Sequence, residues 1–205
     1  METYTETKHK QFQAMVEPAR ERLKKYTPQM LCDKAGVIFD EETQSIRIPS
    51  MGRDILVHYP DFIIEEDLEM WHHLTLLQYL DTADGTPLSG KWIGLQQMRG
   101  GLSRGRGFDK DIETMFQRYF ANTLADEFLE KCLLLGGKET NGKADVSVVI
   151  PYAPRFPVLI NFWEADDEFA ASGKVLVDEH AEHYLTIEAA GGACSAVIQE
   201  IRKLV

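Results

Sequence analysis

The chain has 205 residues, 44% hydrophobic and 10% aromatic, enough apolar material for a packed core and too much for a disordered polymer. Its formal net charge of −11 excludes general binding to nucleic acid or to an anionic membrane, because both require a positive field. The cysteines, Cys32, Cys132 and Cys194, stand far apart with no CxxC, which argues against a zinc ribbon or a self-contained iron–sulfur site and for a reducing compartment.

In chain order, Phe12, Met15, Val16, Ala19 and Leu23 keep the helical period and predict a helix over residues 8–25. Thr27 as N-cap with Pro28 at the first helical position restarts a short helix, which Gly36 stops. Between residues 37 and 66 the period changes to two, as in Ile46 and Ile48 and again in Ile55 and Val57. An antiparallel meander of two or three strands is expected there, with Pro60 ending one strand or lying at an edge. Residues 68–80 read as a helix apolar nearly all round, capped by Asp67, and such a helix is usually buried. Asp84-Gly85-Thr86-Pro87 predicts a turn and residues 91–98 a short strand. Helices are expected over 110–135, with a break near Asn122 and a stop at Gly136-Gly137. Strands follow at 144–150, 158–163 and 173–177, then a helix over 186–204 weakened by Gly191-Gly192. No run approaches the roughly 18 apolar residues of a membrane-spanning helix, and METYTETKHKQFQ has no signal core, so a cytoplasmic location is expected.

The order of these elements is not a regular βαβ alternation. It predicts an α+β fold: an antiparallel sheet with a buried helix, a helical N-terminal segment and a C-terminal helix. No linker or repeat divides the chain, so residues 1–205 are expected to form a single domain, with 1–26 as a helical N-terminal extension.

Chemistry concentrates in residues 151–185. The apolar run ending at Trp163 empties into Glu164, Asp166, Asp167 and Glu168. Carboxylates this dense bind cations or hold a raised pKa, or simply solvate a strand-to-turn junction. His180 and His183 are spaced i,i+3 beside Asp178 and could chelate a metal, although a surface turn is the plainer reading. His73 falls with Leu77 and Leu80 and is expected to be a hydrogen-bonded core histidine. The segment from Arg99 to Gly107, with Gly100, Gly101 and Arg104, is a basic glycine-rich stretch in an acidic chain. It reads as a surface loop or an anion cradle. Gly101-Leu102-Ser103-Arg104-Gly105 satisfies the GxSxG letters, but no apolar strand precedes it.

Several short blocks carry a resemblance. They include Leu76 to Leu80, Ala83 to Ile93, Gly100-Gly101, Gly136-Gly137, Pro154 to Val158, Phe162 to Phe169, Val177-Asp178 and Tyr184-Leu185. In order and spacing they resemble domain-of-unknown-function family 3786, found mainly in anaerobic bacteria and archaea. Some members are fused to an iron–sulfur domain or accompany corrinoid-linked one-carbon metabolism. The resemblance implies an accessory or binding role in anaerobic metabolism. This chain lacks cluster cysteines, so the cofactor stays unassigned. It also departs from the family pattern at Ala165, at Ala170 and in the stretch from Ser103 to Arg106.

The residues and the resemblance together predict a non-catalytic binding protein for a protein partner or a cofactor-bearing protein. The expected surface is Arg155, Trp163, Glu164, Asp166, Asp167 and Glu168, with Gly100, Gly101 and Arg104 as a second wall. One alternative is a metal-assisted or general acid–base enzyme using the 164–183 region, with Asp178, His180 and His183 as its metal ligands. Another is a structural homodimer in which the acidic run meets the basic segment.

Overall fold

A computed structural model describes residues 2–205, with side chains for 12–102, 104 and 106–205. The Ser103 hydroxyl therefore lies outside the described residues. Helix α1 spans Glu2–Leu23, and its Val16, Ala19 and Leu23 are buried on one face. Helix α2, Pro28–Ala35, begins and ends as its residues dictate. Thr27 accepts from the Met30 N–H, and Gly36 closes the helix at φ 68° with its N–H on the Cys32 carbonyl.

Strands β1 (Ile38–Asp40), β2 (Ser45–Ser50) and β3 (Arg53–His58) form an antiparallel three-stranded sheet in that order. Met51 and Gly52 turn β2 into β3 with positive φ at both, the pattern of a tight hairpin whose twist suits its strands. The hairpin tip packs on the second half of the molecule. The Met51 N–H donates to the Pro151 carbonyl at 2.8 Å, and a Cβ on Gly52 would stand 3.0 Å from the Leu135 backbone.

Helix α3, Met70–Thr82, is buried along Leu74, Leu76, Leu77, Tyr79 and Leu80. Its cap is Glu69 rather than the expected Asp67. The Glu69 carboxylate takes the Trp71 N–H at 2.8 Å and the His72 N–H at 3.1 Å, satisfying two of the helix's orphan donors at once. The core histidine is His72, not His73. One step along a helix turns about 100°; His72 faces the core while His73 lies edge-on against Phe12.

The second sheet is antiparallel throughout, in the order β4 (Trp92–Ile93), β8 (Ser172–Asp178), β7 (Phe156–Trp163), β6 (Val146–Ala153), β5 (Lys138–Glu139). The expected 91–98 strand is only β4, followed by a 3-10 turn at Leu95–Gln97. Between β4 and β5 come α4, Gly101–Tyr119, and α5, Ala125–Leu134; α6, Ile187–Arg202, closes the chain.

The glycine-rich stretch is thus the start of α4 and not a loop. Glycine in a helix costs about 1 kcal/mol relative to alanine, but at Gly101 close packing requires it. A Cβ on Gly101 would sit 2.3 Å from the Leu95 carbonyl oxygen. The glycines of α6 act in the same way, and the helix runs through them unbroken. Gly191 leaves room for the Phe108 ring, 2.6 Å from where a Cβ would be, and Gly192 for Trp71 at 3.1 Å. A quartet of fully buried rings, Phe116, Phe120, Phe128 and Phe162, joins α4 and α5 to β7. Helices and antiparallel strands segregate, so the fold is α+β.

Candidate functional site

Successive side chains of a strand point to opposite faces. At the end of β7, Phe162 therefore enters the core while Trp163 faces outward. Beyond it the chain makes two local fastenings. The Glu164 N–H donates to Asp145 at 2.9 Å, and the Glu164 carboxylate accepts from the Ala125 N–H at 2.7 Å, capping α5 from a distance. Asp166 then accepts from the Glu168 and Phe169 N–H groups at 2.8 and 2.7 Å and folds the segment back on itself.

These fastenings shape an open cleft of about 650 Å³ whose walls include Glu113, Asp145, Trp163, Glu164, Asp166 and Phe169. A second hollow of about 310 Å³ shares Glu113, Trp163 and Ser172 with it and extends past Asp109 and Lys174. The larger cleft is acidic with an aromatic side. Phe169 and, at the start of α5, Leu124 remain 69% and 60% exposed on this part of the surface.

The structure brings together Trp163, Glu164 and Asp166 among the residues expected to bind. Asp167 and Glu168 are exposed neighbours outside the cleft lining. Arg155 sits in the turn just before β7, at the opposite end of that strand and about 26 Å from Trp163 at the usual rise. There its guanidinium donates to the Gly85 carbonyl at 2.6 Å and its backbone N–H to the Tyr79 hydroxyl at 3.1 Å. Helix α4 does form a second wall, but through Asp109, Ile112, Glu113 and Gln117. Gly100, Gly101 and Arg104 lie at its start, about 14 Å further along the axis from Glu113 in the case of Arg104. Arg104 pairs there with Glu188. Glu113, Gln117 and Asp145 escape sequence reasoning because they come from a helix and a loop remote in the chain. Phe169, an aromatic stranded in an acidic run, was the one local signal.

A different set of residues fastens the loop over 83–91. Asp178, 3% exposed, accepts from the Ser89, Gly90 and His180 N–H groups at 3.0, 2.8 and 2.9 Å. Burial acts to raise its pKa, but these donors outweigh it and hold the carboxyl below its ordinary value. The Tyr184 hydroxyl donates to the Thr86 carbonyl, and His183 Nδ1 meets Asp84 Oδ2 at 2.7 Å. Burial opposes ionisation of Asp84 too, yet the His183 and Thr86 hydrogen bonds bring it down to about 2.

Asp178 is thus committed to backbone donors. His180 and His183 follow the far end of β8, about 20 Å along that strand from Ser172 in the cleft. The carboxylates at 164–168 and the two histidines do not form one centre. Asp178→Ala is expected to cost about 2 kcal/mol, since it strands buried N–H groups. Limited proteolysis should then cut within 83–91 faster than in the parent chain, and an unchanged cleavage pattern would contradict the fastening role.

The fold and site define an α+β protein with an acidic, aromatic-walled cleft at one end of its larger sheet. The chain matches the family model described as Domain of unknown function (DUF3786) over residues 27–200 and belongs to that family. The match starts on the N-cap of α2, so α1 lies outside it. No curated protein and no solved structure matches the chain. Among the described residues, no helix is long and apolar enough to cross a membrane.

Proposed function

We propose that this protein is a binding module whose acidic cleft receives a basic, apolar-bearing segment of a partner protein. The observation that carries the reading is the joining of Glu113, Asp145, Glu164 and Asp166 around Trp163, with Phe169 and Leu124 exposed nearby. Cationic side chains are attracted to both carboxylates and aromatic faces, and exposed aromatic and aliphatic groups anchor protein interfaces. The partner class implied by the family resemblance is a cofactor-bearing protein of anaerobic metabolism.

Glu113 is exposed on α4 and serves as a clean probe of the cleft. A short lysine- and leucine-containing peptide, titrated while tryptophan fluorescence is followed, is expected to bind in a salt-sensitive manner. Glu113→Lys should weaken it by about tenfold or more, the effect of placing like charges together. Binding that ignores both Glu113→Lys and Phe169→Ser would place the interaction elsewhere. A second copy of the chain is the competing occupant, because the turn entering α4 and the start of that helix carry exposed Arg99, Arg104 and Arg106 while later residues of α4 line the acidic cleft. Sedimentation at low and high salt separates the two, since self-association through these charges would dissolve as salt rises.

A further inference from the structure

We propose that His180 and His183 form a two-histidine site for a divalent transition-metal ion, with Nε2 of each ring as the ligand. The site is separate from the acidic cleft and does not depend on the reading given to it.

The argument rests on what holds the rings. An imidazole ligates a metal through a nitrogen bearing no proton. Its other nitrogen ordinarily donates to a carboxylate or a backbone carbonyl, which fixes the tautomer and orients the ring. Both histidines already have that arrangement. His180 Nδ1 lies 2.8 Å from the Pro87 carbonyl oxygen, and His183 Nδ1 lies 2.7 Å from Asp84 Oδ2. Neither a carbonyl nor an ionised carboxylate has a proton to give, and the Thr86 hydroxyl, 3.1 Å from His183 Nδ1, can accept as well as donate, so only a protonated Nδ1 satisfies Asp84. Nδ1 is therefore the protonated atom in each ring, and in the neutral imidazole the lone pair stands at Nε2. No protein atom among the described residues is hydrogen-bonded to either Nε2.

The backbone sets the pair. Ala181–His183 is a 3-10 turn with His180 at its N-cap, and residues three apart in such a turn eclipse one another. The ring centroids are 5.6 Å apart with planes at 74°. Two imidazoles sharing a tetrahedral ion through bonds of about 2.0–2.1 Å have centroids about 5 Å apart. The observed centroid separation lies within about 1 Å of that value. Both rings are half-buried and reachable from solvent.

The support is firm on every side. Asp84 and Pro87 belong to the loop that Asp178, Tyr184 and Arg155 fasten. Carboxylates surround the turn: Asp84 on His183, Glu182 exposed on the turn itself, and Glu179 shared with Lys91 at 3.4 Å. This negative setting favours a cation. Among the described residues, no set of three His, Cys, Asp or Glu side chains is placed to hold an ion. The remaining coordination positions therefore fall to water or to a ligand on another molecule. Imidazole nitrogens select zinc, nickel or copper over magnesium and calcium.

Calorimetric titration of the untagged full chain with Zn2+ tests the proposal. One saturable ion per chain is expected, with no matching signal from Mg2+. His180→Gln and His183→Gln should each lower the association constant by at least about tenfold, and Asp84→Asn by about tenfold, the usual effect of losing an orienting partner. Imidazole nitrogen NMR on the unsubstituted protein provides a check that needs no variant. Added Zn2+ should move the Nε2 resonances of His180 and His183 and leave their Nδ1 resonances protonated. The proposal is overturned if Zn2+ does not saturate, if binding survives both glutamine substitutions undiminished, or if the responding nitrogens belong to other histidines.

Discussion

Phe162→Ala is expected to destabilise the protein by roughly 3–5 kcal/mol, the range found when a large aromatic is deleted from a close-packed core. Phe162 is fully buried and stacks on Phe128 with centroids 4.2 Å apart and planes at 17°. Phe116 and Phe120 lie 6.1 and 6.2 Å away. The rings belong to β7, α5 and α4, so the vacancy cannot close without moving three elements against one another. The next strand shows how tightly the quartet is held. Gly173 pairs with Phe162 across β7 and β8, and a Cβ placed on it would stand 2.3 Å from the Phe116 ring. Gly173→Ala should therefore push the same way, by overpacking instead of by a cavity. Urea unfolding followed by far-ultraviolet circular dichroism measures both. A loss below about 1 kcal/mol for Phe162→Ala would mean that the site collapses freely, against the range for such deletions. Trp163 and Glu164 follow directly on Phe162, so the same substitution should broaden the tryptophan signal of the cleft.

Acidification supplies the second large effect. His72 is fully buried, with Nε2 2.9 Å from the Ser50 hydroxyl and Nδ1 without a hydrogen-bond partner among the described residues. Burial disfavours the charged ring, and the nearby Arg53, Lys203 and His73 add to this, so the pKa falls from 6.5 to about 3. Above pH 6.5 neither the folded nor the unfolded ring holds the extra proton, and His72 makes stability independent of pH. Between 6.5 and about 3 the unfolded chain takes up a proton that the folded chain refuses, so stability is lost as pH falls. Each unit costs about 1.4 kcal/mol, or about 2.7 kcal/mol by roughly pH 4.5. Comparing urea unfolding at about pH 7 and pH 4.5 in the parent and in His72→Gln isolates this contribution, because the carboxylates common to both cancel. The variant should lose about 2–3 kcal/mol less on acidification. Should it fold poorly, histidine proton NMR of the parent decides, since His72 is expected to stay neutral to about pH 4. A ring that titrates near 6.5 would remove the basis of the prediction.

How much of this was legible in the chain depended on the range of the interactions involved. Thr27, Pro28 and Gly36 place α2 to the residue because capping involves only atoms a few positions apart. The alternation in Ile46, Ile48, Ile55 and Val57 gave the first sheet for a similar reason, since a tight turn joins its last two strands. The acidic run was visible as a density of charge. Which of its carboxylates enter the cleft was not, because Asp166 folds back on the Glu168 and Phe169 N–H groups and turns Asp167 and Glu168 outward. Arg155 and Trp163 belong to one short stretch of sequence, but Arg155 lies in the turn before β7 and Trp163 at that strand's far end.

The sequence by itself determined the elements whose causes are local: the capped helix α2, the hairpins, the apolar helix α3 and the α+β order of the whole. Tertiary structure alone decided the start of α4, where the packing of Gly101 against Leu95 and of Phe108 against Gly191 outweighs the cost of glycine in a helix. It alone chose His72 over His73, since their neighbours in space lie far away in the chain. The cleft was settled at that level too. Glu113 and Asp145 meet Trp163 only because the buried phenylalanines draw α4 and α5 onto the end of β7, a contact that no local pattern encodes.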